Sequence, residues 1–95
     1  MTDKVEVENV NTPGRTEHVN AAKYRAMRDA TLSVLHGADP MTATAIKEAA
    51  KTHLPNDLFP GGATAGWWQK TVQLDLEAKG VMQRHPTKPL TFSLT

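Results

Sequence analysis

A chain of 95 residues with a formal net charge of +1 and no cysteine has room for a single domain. That balance removes the bulk electrostatic signature of a nucleic-acid binder, and the missing thiols exclude disulfides and thiolate metal sites and point to a reducing cytosol. No apolar run reaches the length of a membrane span, and the opening MTDKVEVENV is not built like a signal peptide.

Charge is nevertheless uneven along the chain. Residues 1–19 hold Lys4 and Arg15 against Asp3, Glu6, Glu8 and Glu17, a balance of −2, and residues 81–95 hold Arg84 and Lys88 and no acid, a balance of +2. The first segment, KVEVENV, alternates apolar and polar residues and reads as a strand with Val5 and Val7 on one face. NTPG supplies turn chemistry and RTEHV a return strand, so a β-hairpin is expected at the start. Asn20 then caps a helix from about Ala21 to His36, with Tyr24, Met27, Thr31, Val34 and Leu35 on its apolar side. Gly37 ends it and Pro40 prevents its resumption. A second helix follows, capped by Thr42 or Thr44 and ended at Pro55. Ala45, Ile46, Ala49, Ala50 and Leu54 form its buried side, and the loop after it folds Leu58 and Phe59 back onto the core.

Thr64 is expected to cap a third helix from Ala65 to Lys79, with Gly80 as its left-handed terminator. Its apolar arc takes Trp67, Trp68, Val72, Leu74, Leu76 and Ala78, and the opposite side takes Gly66, Gln69, Lys70, Gln73 and Glu77. Asp75 falls inside the arc and should pair with a basic group, such as one on the first helix, because an unpaired buried carboxylate is expensive. A second hairpin closes the chain, with Val81, Leu90, Phe92 and Leu94 alternating with polar residues.

Three helices in close succession, the third ending in glycine and leading at once into a β-hairpin, resemble a winged helix-turn-helix over residues 20–95. GWWQKTVQLDLEAKGVMQR is similar to the recognition-helix segment of that fold, and PMTA stands where the fold places a short first strand. A narrower resemblance, through the VENVN and PGR start, the LFPGG loop and the GWW-KTVQLDLEA-G helix, is to a family of small bacterial proteins without an assigned activity. The expected class is therefore α+β: an N-terminal hairpin extension over residues 1–19, then a winged-helix domain over residues 20–95.

The chemistry narrows the function further. Gly61 and Gly66 have the G-x-x-x-x-G spacing of a phosphate loop, but tryptophans stand where Lys and Ser/Thr would hold phosphate and magnesium. The glycines are better read as the turn into the third helix. His18, His36, His53 and His85 are scattered without metal-ligand spacing, and Ser33 and Ser93 lack a glycine elbow or a base. No cofactor, metal or enzymatic activity is expected.

The winged-helix resemblance implies double-stranded DNA as a partner, in the manner of a transcriptional regulator. The third helix would then present Gln69, Lys70 and Gln73 to the major groove. Thr64 and nearby amides would take phosphate, and Arg84 and Lys88 on the second hairpin would reach the backbone. So few cations predict weak, salt-sensitive binding, and Glu77 on the same face would repel phosphate. The competing reading is a protein-interaction or dimerisation module. It rests on the near-neutral charge, the acidic first hairpin and the prospect that one of two adjacent tryptophans stays exposed.

Overall fold

The computed structural model describes residues 3–95, so Met1 and Thr2 of the expected first hairpin lie outside the described residues. Over the described residues the class is α+β, with three helices and two small antiparallel sheets. The chain runs through β1 (Lys4–Glu8), β2 (Thr16–Asn20), α1 (Ala21–Leu35), β3 (Met41–Thr42), α2 (Ala43–Lys51), α3 (Ala65–Ala78), β4 (Met82–His85) and β5 (Thr91–Leu94). A single 3₁₀ turn at Pro60–Gly62 leads into α3.

The first hairpin pairs Val5 with Val19 and Val7 with Glu17. Because side chains alternate along a strand, Val5 and Val7 share a face. That face lies on α1 and α3, and Val7 and Val19 join the same core as the helices. The second sheet is ordered β3-β5-β4, with Met41 opposite Phe92 and Met82 opposite Leu94. The short strand between α1 and α2 thus returns to pair with the last strand of the chain.

Local chemistry explains the helix ends. The Asn20 side chain accepts from the Lys23 N–H at 3.0 Å and opens α1. Thr42 does the same for Ala45 at 3.1 Å and opens α2. At the end of α3, Gly80 adopts a left-handed φ of 74°. Its N–H donates to the Glu77 carbonyl at 3.2 Å while the Val81 N–H donates to that of Leu76 at 2.9 Å. This pair of bonds is a Schellman closure and satisfies two otherwise orphaned carbonyls.

The core is built from Tyr24, Met27 and Leu35 of α1, Ile46 and Ala50 of α2, Trp68, Val72 and Leu76 of α3, and Phe59, Met82 and Phe92. Phe59 does fold back, meeting Trp68 edge to face with ring centres 6.4 Å apart.

Two corrections to the sequence expectations bear on α3 and the strand that follows it. In the second hairpin, Met82 is buried and Val81 is 38% exposed. The Schellman closure of α3 takes Val81 as its last residue, so strand alternation starts one residue later. The second correction concerns α3. Its buried side is Ala65, Trp68, Gln69, Val72, Gln73, Asp75 and Leu76, whereas Trp67 and Ala78, expected inside, face out.

Candidate interaction surface on the third helix

The backbone turns sharply before α3. Gly61 and Gly62 have φ of 61° and 79°, and Thr64 follows at 61°. The glycines take this conformation freely, but a β-branched residue does so under strain. Thr64 also fails to cap the helix as expected. Its hydroxyl donates to the Ala63 carbonyl at 2.6 Å, and no side chain caps the first amides of α3. The left-handed backbone turns the hydroxyl away from those amides.

On its inner side α3 carries an unusual load of polar groups. Gln69 is 4% exposed and Gln73 6%, so neither projects into solvent as the sequence pattern implied. The reason is mutual satisfaction. Gln69 Nε2 donates to Gln73 Oε1 at 2.9 Å, and Gln73 Nε2 donates to Glu77 Oε1 at 3.1 Å. Arg84 of β4 closes the row, donating from Nε and a terminal nitrogen to Glu77 at 3.1 and 3.3 Å, with its guanidinium 5.6 Å from the Phe92 ring centre. Buried amides that complete each other's bonds escape most of the desolvation penalty. Glu77, expected to repel phosphate, is instead neutralised by Arg84, and Arg84 is committed to it.

A second buried carboxylate anchors the first hairpin. Asp75 is fully buried and accepts from the Glu8 N–H at 2.8 Å, from the Tyr24 hydroxyl, and from Lys79 Nζ at 2.8 Å. The sequence anticipated a basic partner for Asp75. That partner is one turn along the same helix, and α1 contributes a phenol. Burial, followed by the hydrogen bond to Asp75, pushes the Tyr24 phenol well above the usual tyrosine range.

With those groups turned inward, the outer side of α3 is Trp67, Lys70, Thr71, Leu74 and Ala78. Trp67 is 55% exposed and its neighbour Trp68 only 7%; the two rings meet edge to face, centres 4.9 Å apart. Thr71 and Leu74 are half-buried, and Lys70 and Ala78 exposed. Beside Thr71 and Leu74 runs a cleft of about 230 Å³, whose other wall is Val7, Glu8, Asn9, Thr12, Arg15 and Glu17 of the first hairpin. On the opposite flank a groove between α2 and α3 is lined by Thr44, Lys47, Gln69, Lys70 and Gln73.

Of the six residues the sequence singled out for DNA, Gln69, Gln73 and Arg84 therefore belong to one hydrogen-bonded row through Glu77, with the two glutamines buried and Arg84 at its exposed end. Lys70 borders it on the outer face. Thr64 is exposed at the start of α3, and Lys88 is exposed in the turn between β4 and β5. Trp67 and Leu74, which the sequence reading placed in the apolar arc, lie with Thr71 on the side of α3 away from the core, Trp67 exposed and the other two half-buried. Their 4-and-3 spacing was visible, but the inner residues share it.

Among the described residues no cluster of three or more His, Cys, Asp or Glu side chains could hold a metal ion, and no helix is long and apolar enough to cross a membrane. The molecule is thus a small α+β domain whose third helix is apolar on two sides. A family model described as a family of unknown function, DUF6958, matches residues 4–92, and the chain belongs to that family. No curated protein and no solved structure matches it.

Proposed function

We propose that this is a non-catalytic domain of winged-helix type, working in the cytosol as a protein-interaction module through the outer face of α3. The helix order and the β3-β5-β4 sheet support the winged-helix reading, with β4 and β5 as the wing. The observation that carries the functional reading is the exchange of faces on α3. The amides suited to reading bases are turned inward and hydrogen-bonded, while Trp67 is exposed and Leu74 stands half-buried at the cleft beside the first hairpin. Large exposed aromatics are the common anchors of protein interfaces.

The test is affinity capture with immobilised protein, paired with a hydrodynamic measurement, comparing the native chain with Trp67→Ala. The reading expects a specific association, with itself or with another protein, that Trp67→Ala abolishes while the fold stays intact. A native chain that is monomeric at high concentration and retains no protein in a Trp67-dependent way would contradict it.

DNA binding is kept as a second reading because Lys47 and Lys70 line one groove with Thr44 at the start of α2, and Lys88 is exposed on the wing. Fluorescence anisotropy with duplex DNA at low and moderate salt decides it. Binding should be lost in Lys70→Glu with Lys88→Glu, and Arg84→Glu should break the Glu77 contact rather than report on DNA.

A further inference from the structure

Trp67, Thr71, Leu74 and Ala78 follow one another at intervals of four, three and four residues. This is the heptad seam by which one helix packs along another, and here large and small side chains alternate along it. The seam runs from Trp67 to Ala78, about 16 Å of helical rise, within the 14 residues of α3. Its two flanks differ in charge. On one side is Lys70, which makes no ion pair among the described residues. On the other is the wall of the first hairpin, whose charged residues are Glu8, Glu17 and Arg15, a balance of −1.

Resting on the interaction reading above, we propose that the seam is covered by α3 of a second copy of this chain, the two helices lying parallel about a two-fold axis. Charge selects this arrangement. A two-fold axis along the helices brings opposite flanks together, so Lys70 of each copy faces the acidic wall of the other. A two-fold axis across the helices brings like flanks together, setting Lys70 beside Lys70 and acidic wall beside acidic wall. In the parallel arrangement Trp67 meets Trp67 and Leu74 meets Leu74, with the smaller Thr71 and Ala78 layers alternating with them. A standard interface covers about 800 Å² on each partner, against a total surface of 5692 Å² here. A seam about 16 Å long must recruit its flanks to approach that area, so the dimer is weak and concentration-dependent.

The experiment uses the intact chain in sedimentation equilibrium, with cysteine trapping to fix the orientation. The native chain lacks cysteine, so Ala78→Cys introduces one thiol at an exposed position. In the parallel dimer the two introduced sulfurs face each other across the axis and form an intermolecular disulfide under mild oxidation. In the antiparallel dimer they are about 16 Å apart by helical rise, Ala78→Cys alone is not trapped, and a mixture of Thr71→Cys and Leu74→Cys chains, which keep Trp67, cross-links instead. Expected results are mass rising with concentration from 10.4 kDa towards twice that value, disulfide trapping of Ala78→Cys alone, and a roughly ten-fold weaker association in Lys70→Glu, as for a charge at an interface rim. A strict monomer overturns the second copy as occupant. If Trp67-dependent capture of another protein persists in that case, the interaction reading survives without it. Trapping only in the mixture, or dimerisation unchanged in Lys70→Glu, overturns the parallel arrangement.

Discussion

The inner and outer sides of α3 can be written with the same spacing. Ala65, Gln69, Val72 and Leu76 face the core; Trp67, Thr71, Leu74 and Ala78 face away from it, and both rows step by four, three and four. The inner row includes a glutamine, with Gln73 beside it, and is buried, while the outer row holds an aromatic and is exposed at Trp67 and Ala78 and half-buried between them. Burial here follows satisfaction of partners as much as hydrophobicity. Gln69 and Gln73 enter the core because they share a hydrogen bond and Glu77 with Arg84 ends the row. Trp67 remains outside because Trp68, Phe59 and Val72 already fill the core beside α3.

The difference can be broken by substitution. Trp68→Ala should cost about 3–5 kcal/mol of stability, as a large core residue lost, whereas Trp67→Ala should change stability by less than about 1 kcal/mol and act on association instead. Paired urea denaturation curves measure both. Equal losses would erase the distinction between the two sides. Asp75→Ala comes next. It strands the Glu8 N–H and the Tyr24 hydroxyl, and breaking such a buried charged group costs about 3 kcal/mol. The first hairpin should loosen before the rest, seen as faster amide exchange at Glu8 and Val19. Protection unchanged there would mean that Asp75 does not anchor the hairpin.

Smaller effects sharpen the picture. Thr64→Gly should stabilise the chain by roughly 1 kcal/mol by relieving its left-handed backbone; a loss in thermal stability would show that the threonine contributes more than it strains. Tyr24 gives a pH signature. Its phenol is held above the usual value by burial and by Asp75, so the folded chain keeps that proton more tightly than the unfolded one. The resulting stability is fully present below about pH 10, the ordinary tyrosine value, and is lost as pH rises beyond it. Denaturation at stepped alkaline pH should show the fall in the native chain and a weaker one in Tyr24→Phe.

Much of the architecture was legible because local signals agreed. Asn20 and Thr42 are caps whose oxygens accept amide bonds, Gly37 and Gly80 take left-handed terminations, and the valine alternation of the first hairpin fits its pairing. The orientation of α3 was not legible, because a helix apolar on two sides has no unique inner face by periodicity. Only the neighbours decide, and they are distant in sequence. Arg84 had to return beside Glu77, and Glu8 beside Asp75, for the polar residues of α3 to be held inside. The strain at Thr64 was equally hidden, since a threonine before a helix ordinarily reads as a cap.

With two tryptophans in the chain, fluorine NMR of protein labelled with 5-fluorotryptophan reads the two sides of α3 separately. On raising the protein concentration, the Trp67 resonance should shift and broaden as the outer seam is covered, while that of Trp68 moves much less. Both resonances standing still across the whole range, with Trp67 as open to solvent quenching at the highest concentration as at the lowest, would contradict a self-associating outer face.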